Sequence, residues 1–288
     1  MANGSTTKQH RAMVIAVCSG KGGVGKSTLA IFVASRLAAA GKSTLLIDAD
    51  FGIGDVATMT NQTPLVGFEQ ILAGEARLEE AVLRFGPRLS IIGTLPGAHF
   101  EAALINEQGL ANCRQFDSHY DVIVLDTPST IDPLNLNLIA GSDLALSIIT
   151  SRIPAIADSY VQLERIAQIG GKVASGFVVN QVESEVEGNQ TIAKFGELVD
   201  RFLGHSIPAL GFVEIDPRIA KATESQSLLE LTRQPGGFGR KAEKMIKTLL
   251  EKHISLPIGG CAIWEHLAKT ILLKTEVGFD DTRVLAGV

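Results

Sequence analysis

Aromatic residues and cysteines are scarce in this chain of 288 residues. Aromatic residues make up 5% of it and hydrophobic residues as a whole 45%, which predicts a core of Val, Ile, Leu and Ala. Such aliphatic cores are typical of parallel strands that are buried on both faces. Cys18, Cys113 and Cys261 are far apart and match no metal-binding spacing, so no zinc site is predicted. We interpret Cys18 as a small core residue in a reducing, cytoplasmic compartment.

Net positive charge and long apolar segments are also missing. The formal net charge is −5, which argues against a nucleic-acid platform that depends on overall charge. The stretch from Met1 to Arg11 is short and polar and does not resemble a signal peptide. No stretch is long and apolar enough to span a bilayer. We therefore expect a cytoplasmic protein whose contact with a membrane, if it has one, is peripheral.

The strongest signal is a glycine-rich loop that follows the apolar run 13–18 and precedes a helical pattern at 29–40. A phosphate-binding loop requires this context of strand, glycine turn and helix N-terminus, and the flanks argue against a chance glycine-rich turn. Glycines let backbone N–H groups surround phosphate oxygens, while the helix dipole adds positive potential. We expect Lys26 to reach the β- and γ-phosphates and the Ser27 hydroxyl to bind Mg²⁺. The loop consists of Gly20, Lys21, Gly22, Gly23, Val24, Gly25, Lys26, Ser27 and Thr28.

Carboxylates follow two further apolar runs that read as buried strands. Asp48 and Asp50 come after the run at 43–47, and Asp126 closes the run at 121–126. Ligands of doubly wound sheets bind at the carboxyl ends of the strands, so these side chains are expected beside the loop. An Asp in the position of Asp126 usually holds Mg²⁺ through water, and residues 127–130 would then sense the γ-phosphate. A helix cap or turn is the alternative interpretation of Asp126.

Strands alternate with helices over most of the chain, which predicts an α/β fold of the P-loop NTPase type. The sheet is expected to be mostly parallel and twisted, with right-handed crossovers and helices on both faces. We predict one ATPase domain over residues 1–255 and a tail over 256–288 with an amphipathic helix at about 262–274. The tail helix has two interpretations. Its apolar stripe docks on the domain, or it enters a lipid headgroup region with Lys269 and Lys274 facing anionic lipid.

Lys21 is a second lysine at a loop position where the general pattern accepts any residue. With this lysine, the segment 21–28 resembles the deviant Walker A motif of the MinD/ParA ATPases, and the resemblance covers nearly the whole chain. Later segments are similar to the flagellar-number regulators of the FlhG (FleN) family: 48–56, 180–203, 213–222 and the break at Leu256-Pro257.

The resemblance implies ATP and Mg²⁺ as ligands and slow, partner-stimulated hydrolysis of ATP. Lys21 would reach across an ATP-bound homodimer to the partner's phosphates, and Lys26 and Asp50 would complete the catalytic set, with Asp50 positioning the attacking water. Asp126 would be the Walker B residue, and Asn180 would read the adenine edge. The tail helix would target the inner membrane surface in the ATP-bound dimer, and the ADP-bound or nucleotide-free monomer would be cytosolic.

Flagellar number or placement is the leading functional hypothesis, with a flagellar regulator or an FlhF-like GTPase as the implied partner. The ten residues before Arg11 lack the glutamine-containing motif with which FlhG proteins stimulate FlhF, so the resemblance does not extend to that activity. Residues 127–130 also read closer to MinD and ParA than to FlhG. There are two alternatives. One is a ParA-type ATPase that positions DNA or another cargo, with Lys241, Lys244 and Lys247 as candidate DNA contacts. The other is a MinD-type division-site regulator. The scattered cysteines argue against a metal-delivery relative.

Overall fold

The structure is a computed structural model that describes residues 11–98, 100–169, 173–234, 243–245, 247–249, 263–264 and 266–268. Most of the predicted tail therefore lies outside the described residues. The same holds for the N-terminal stretch up to His10 and for Cys261, Lys241, Lys269 and Lys274.

Eight strands are present in the described residues, and they form one sheet in the order β3-β4-β2-β5-β1-β6-β7-β8. Every neighbouring pair is parallel except β3 and β4, which are antiparallel. The predicted mostly parallel sheet is thereby confirmed. The strands are β1 (Met13–Cys18), β2 (Thr44–Asp48), β3 (Leu83–Arg84), β4 (Leu89–Ile92), β5 (Val122–Asp126), β6 (Leu144–Ile149), β7 (Ala174–Val182) and β8 (Ala209–Glu214).

The helices connect the strands and cover both faces of the sheet. A 3-10 turn at Ala102–Leu104 and helical residues at 243–245, 247–249, 263–264 and 266–268 complete the described helical structure. The helices are α1 (Lys26–Ala39), α2 (Asp55–Met59), α3 (Phe68–Leu72), α4 (Leu78–Ala81), α5 (Glu107–Arg114), α6 (Phe116–His119), α7 (Pro133–Ala140), α8 (Ile153–Gln168), α9 (Glu185–Leu203), α10 (Pro217–Glu224) and α11 (Leu228–Arg233).

Several element boundaries differ from the sequence prediction. The stretch 51–63 lacks clear hydrophobic periodicity and so reads as a loop, but it contains α2, whose first turn follows the left-handed Gly54. The amphipathic pattern at 192–203 predicts a helix, and the observed helix already begins at Glu185, where the Ser184 side chain caps it by accepting the Glu187 N–H. The Glu187 carboxylate accepts the Glu183 N–H, one residue before the cap. A serine N-cap is a local signal that precedes the apolar stripe on which the helix prediction relies.

The core consists of aliphatic layers on the two faces of the sheet. On one face, Ile15 and Val17 of β1 pack in a cluster with α1 and α11. On the other face, Val14 packs in a cluster with α3, α5 and α6. Cys18 and Cys113 are fully buried, which confirms the core interpretation of Cys18. None of the helices in the described part of the chain combines the length and the apolar character needed to cross a bilayer.

The described residues of the tail helix pack on the domain. Ile263, Trp264 and Leu267 are buried in the same cluster as Val14. The Trp264 ring contacts the Phe116 ring edge-to-face with centroids 5.7 Å apart. The first interpretation of the apolar stripe therefore describes this structure, while lipid binding stays a prediction.

Candidate nucleotide-binding site

The glycine-rich loop joins β1 to α1 at the carboxyl edge of the sheet. Gly23 and Gly25 have φ angles of +77° and +87°, a left-handed conformation that glycine adopts without strain. The first turn of α1 contains no acidic residue, and Gly25 provides no side-chain cap. The orphan N–H groups and the positive end of the helix dipole are thus available to an anion. The loop has the features of the phosphate cradle that the sequence predicted.

Lys26 is buried among carboxylates at the start of α1. Its side chain is 5% exposed, and Nζ donates to Asp126 Oδ1 at 2.8 Å and lies 3.5 Å from Asp50 Oδ2. Burial alone would lower the pKa of Lys26, but Asp126, Asp50 and Asp48 together raise it above its ordinary value. Lys26 is therefore held as a cation, and a phosphate group would take over the charge that the aspartates supply here.

Asp126 lies at the end of β5, directly opposite Asp48 in the register with β2. Its side chain is fully buried, and burial raises the pKa of this carboxyl despite the nearby Lys26 and Ser27. Asp126 Oδ2 has no hydrogen-bond partner among the described residues. A buried carboxylate oxygen without a donor, beside a hydroxyl, suits the hard oxygen-ligand chemistry of Mg²⁺. Ser27 and Asp126 thus fit the predicted metal.

Asp48 shapes the loop that carries Asp50. Its two carboxylate oxygens accept the Asp50 N–H at 3.1 Å and the Val56 N–H at 3.2 Å, and its side chain is fully buried. Burial and the neighbouring Asp126 raise the pKa of Asp48 well above its ordinary value. The Asp50 side chain is 16% exposed, and its carboxylate faces the ammonium group of Lys26. Both carboxylates lie beside the phosphate cradle, as the strand-end reasoning predicted.

Lys21 has a different environment from Lys26. Its side chain is 47% exposed and forms an ion pair at 3.7 Å with Asp158 of α8. The adjacent Gly20 packs against the backbone of this helix, where an added Cβ would lie 2.2 Å from the Asp158 carbonyl. In this structure Lys21 is therefore paired with α8, whereas Lys26 is paired with the aspartates of the cradle.

Two amide side chains near the end of β7 donate hydrogen bonds to the loop backbone. Asn180 Nδ2 donates to the Val24 carbonyl at 2.7 Å, and Gln181 Nε2 donates to the Gly23 carbonyl at 3.2 Å. Gln181 has a φ of +58°, an unusual conformation for a residue other than glycine. The structure brings Asn180 to the loop, and its reading of the adenine edge stays a prediction.

The segment after β5 is connected to the loop by hydroxyl groups. Ser19 and Ser129 share a hydrogen bond at 3.0 Å, and Thr127 Oγ1 donates to the Val17 carbonyl at 3.1 Å. Asn135 of α7 donates to the carbonyls of Pro128 and Thr130, which fixes the turn from inside. These bonds tie residues 127–130 to β1 and α7, and their response to a γ-phosphate stays a prediction. Sequence reasoning missed Asn135 because no local pattern shows that a helix residue will fold back on this turn.

Known proteins resemble this chain in sequence and in fold. The family model of the CobQ/CobB/MinD/ParA nucleotide-binding domain matches residues 15–229. The chain is 26% identical over 220 residues to the antiactivator FleN of Pseudomonas aeruginosa, covering 75% of this chain and 79% of FleN. It is 31% identical over 223 residues to the septum site-determining protein MinD of Synechocystis, covering 73% and 79%. Among solved structures, MinD of Pyrococcus horikoshii complexed with Mg-ADP superposes with a TM-score of 0.66 at 17% identity, covering 85% of this chain and all of that one.

Proposed function

We propose that this chain, which belongs to the CobQ/CobB/MinD/ParA nucleotide-binding family, is an ATP-hydrolysing switch that dimerises over ATP and regulates the number or placement of flagella. The observation that carries the proposal is the contrast between two lysines of one loop. Lys26 is buried among the aspartates at the cradle, whereas Lys21 is half exposed and paired with Asp158 of α8. A half-exposed lysine of this kind is available to the phosphates of a second subunit when the cradle of that subunit approaches it.

The residues of one chain provide most of the reaction site. Lys26 leaves the aspartates to bind the β- and γ-phosphates, while Ser27 and Asp126 hold Mg²⁺. When bound, the metal ion neutralises charge that develops on the transferred phosphoryl group. Asp50 orients the attacking water, because its carboxylate lies next to the position of the phosphates. Lys21 of the second subunit stabilises the transition state by a contact that the monomer lacks.

Two substitutions separate the roles of the lysines. Lys26→Ala removes the cation of the cradle, so ATP binding itself is lost. Lys21→Ala breaks only a half-exposed ion pair, which contributes about 0–1 kcal/mol, so folding and ATP binding persist. Turnover should nevertheless fall by about 100-fold to 1,000-fold, because a preorganised charge at the transition state is removed.

Turnover is measured by phosphate release with ATP and Mg²⁺, and ATP binding with a fluorescent nucleotide. If Lys21→Ala hydrolyses ATP at the wild-type rate, Lys21 has no role in the reaction. A wild-type chain that binds ATP but releases no phosphate at any protein concentration would refute the hydrolytic part of the proposal.

The flagellar role is supported by the similarity to FleN and by the FlhG-like segments of the sequence. The partner would then be a flagellar transcriptional regulator or an FlhF-like GTPase. A deletion strain is expected to show an abnormal number or position of flagella with normal division sites. Misplaced septa with normal flagella would assign the chain to the MinD role instead.

DNA binding is the second candidate function. Lys244 and Lys247 are exposed beside the buried Met245, so their charges face solvent on one side of a short helical stretch. A gel-shift assay with ATP at two salt concentrations tests this candidate, because phosphate contacts weaken steeply as salt rises. A salt-sensitive shift that requires ATP and is lost in Lys244→Ala would support partition. No shift at low salt would exclude it.

Membrane association is a separate part of the proposal. In this structure Ile263, Trp264 and Leu267 are buried on the domain, so these side chains are withheld from lipid. ATP-dependent dimerisation would release the helix and bring the protein from the cytosol to the inner surface of the membrane. A chain truncated after Leu256 should bind ATP normally and lose ATP-dependent binding to anionic vesicles. Equal vesicle binding by the truncated chain would refute this part.

A further inference from the structure

The loop that carries Asp50 is supported on one side by a segment from another strand. This segment, residues 94–98, follows β4 and is called the brace segment. β4 is the neighbour of β2, so the brace segment and the Asp50 loop leave the sheet at the same edge. On the opposite side of the loop, Ile53 is 58% exposed. The position of the loop in the monomer therefore depends on the brace segment.

Close backbone contacts join the two segments. The Gly97 N–H donates to the Gly52 carbonyl at 2.9 Å. Gly52 has a φ of +94°, and an added Cβ would lie 2.9 Å from the Ala98 carbonyl oxygen. At Gly54, with a φ of +71°, an added Cβ would lie 3.3 Å from the Thr94 carbonyl oxygen. The two left-handed glycines allow the loop to lie directly on the brace segment. A shift of the brace segment would therefore displace the loop.

A cluster of phenylalanine rings strengthens this contact. The ring of Phe51, the residue after Asp50, lies 4.6 Å from the ring of Phe100 and is stacked at 6.0 Å on the ring of Phe68. Such aromatic pairs contribute beyond their buried area. Phe51 is thus held between Phe100, which follows the brace segment, and Phe68 of α3.

Glu69 of α3 fixes the brace segment. Its side chain is 6% exposed, and Oε2 accepts the Thr94 hydroxyl at 2.8 Å while Oε1 accepts the Leu95 N–H at 2.9 Å. Both donors belong to the brace segment. Hydrogen bonds to a buried carboxylate are among the strong ones in proteins. The contacts run from Glu69 to the brace segment and from there to the backbone on either side of the Asp50 turn.

We propose that Glu69 is a positioning residue for ATP hydrolysis that acts through the brace segment on Asp50. This inference rests on the proposed function, since it concerns the same reaction. The hydrogen bonds of the Glu69 carboxylate in the described residues go to Thr94 and Leu95 and not to the phosphate loop, so its removal should not weaken ATP binding. A displaced Asp50 would orient water poorly, and a misplacement of about 1 Å can cost about 100-fold in rate.

The test compares Glu69→Gln, which replaces two charge-assisted hydrogen bonds to the brace segment with weaker neutral ones, with Thr94→Val, which removes the hydroxyl bond. Both changes keep the side-chain volume nearly constant. We expect kcat to fall by about 10-fold to 100-fold in both, with KM for ATP within about twofold of wild type. Thr94→Ser keeps the hydroxyl and should retain wild-type kcat. Glu79→Gln makes the same chemical change at an exposed position of α4 and serves as the matched control.

A second readout does not depend on hydrolysis. Chymotrypsin cleaves after phenylalanine, so loosening of the loop should speed cleavage at Phe51 in Glu69→Gln and Thr94→Val but not in Glu79→Gln. Cleavage sites are identified by mass spectrometry. Faster cleavage at Phe51 with lower kcat and constant KM supports the proposal.

Two results would overturn the proposal: unchanged kcat with unchanged cleavage, or a parallel loss of kcat, ATP binding and thermal stability, which would mark a general structural role. If Glu69→Gln fails to fold, Thr94→Val decides by the same criteria. A wild-type chain without turnover would refute the proposed function instead, and cleavage at Phe51 alone would then decide whether Glu69 fixes the loop.

Discussion

Gly141→Ala should release the tail helix without changing the tail itself. Gly141 ends α7 with a φ of −80°, which alanine adopts without strain. An added Cβ would lie 3.1 Å from Ile263 Cα and 3.2 Å from His266 Cβ, both in the docked helix. The third close atom is the Asn137 carbonyl oxygen at 3.0 Å, which belongs to α7 and is unaffected by undocking.

The size of the effect follows from these distances. Carbon atoms pack best at about 3.5–4.0 Å, so the docked helix must move by a few tenths of an ångström to make room. Overpacking of this kind costs about 1–3 kcal/mol, which shifts the ratio of docked to released helix by about 5-fold to 150-fold. The released state gains in population even though every apolar side chain of the tail is still present.

Trp264 reports the change directly, because it is the only tryptophan in the chain and is 2% exposed in the docked helix. We expect iodide to quench its fluorescence more strongly in nucleotide-free Gly141→Ala than in wild type, and anionic vesicles to bind the variant without ATP. Gly196→Ala is the matched control, since an added Cβ there has no neighbour within 4 Å. Wild-type quenching in Gly141→Ala would refute the steric reasoning. Strong quenching without vesicle binding would refute the membrane role of the tail.

Three further predictions concern burial, charge and the loop. Burial raises the pKa of the Cys18 thiol to about 12 and that of Cys113 well above its ordinary value. Iodoacetamide at about pH 8 should therefore label neither thiol until the protein unfolds. Rapid labelling of the native chain, found by peptide mass spectrometry, would contradict this. Burial raises the pKa of Asp143, so the folded state binds the carboxyl proton more tightly than the unfolded state does. The free energy of unfolding of wild type should therefore rise relative to that of Asp143→Asn as pH falls from about 7 to about 4. Denaturant unfolding that shows a relative loss of stability over this range would contradict the prediction. Gly20→Ala would place Cβ 2.2 Å from the Asp158 carbonyl and so displace the loop. ATP affinity, measured by nucleotide fluorescence, should fall at least about tenfold. Unchanged affinity would show that α8 moves to accommodate the methyl group.

The sequence predicted the chemistry at the strand ends because each signal is local. The loop from Gly20 to Thr28 carries its own flanking strand and helix, and Asp48, Asp50 and Asp126 each follow an apolar run. In a parallel sheet these ends must meet at one edge, so their proximity follows from the fold class alone. The observed pairing of Lys26 with Asp126 confirms this proximity.

Contacts that depend on distant segments were not predictable in the same way. Nothing near Lys21 in the sequence indicates that Asp158 will pair with it, since the pair spans two elements whose packing is set by the whole sheet. The same holds for Glu69, whose partners Thr94 and Leu95 follow a different strand. Asn135 would have read as an ordinary helix residue. These side chains can be assigned only when the backbone that they contact is in place.

Sedimentation velocity of Asp50→Ala tests the two-subunit switch most directly. This variant should bind ATP without hydrolysing it, so ATP stays intact during the run. The assembly state is measured with ATP and Mg²⁺, with ADP, and with no nucleotide. A dimer with ATP alone is expected, and the added substitution Lys21→Ala should return it to a monomer while ATP stays bound. A monomer in saturating ATP, or a dimer that persists without Lys21, would contradict the proposed role of the second lysine.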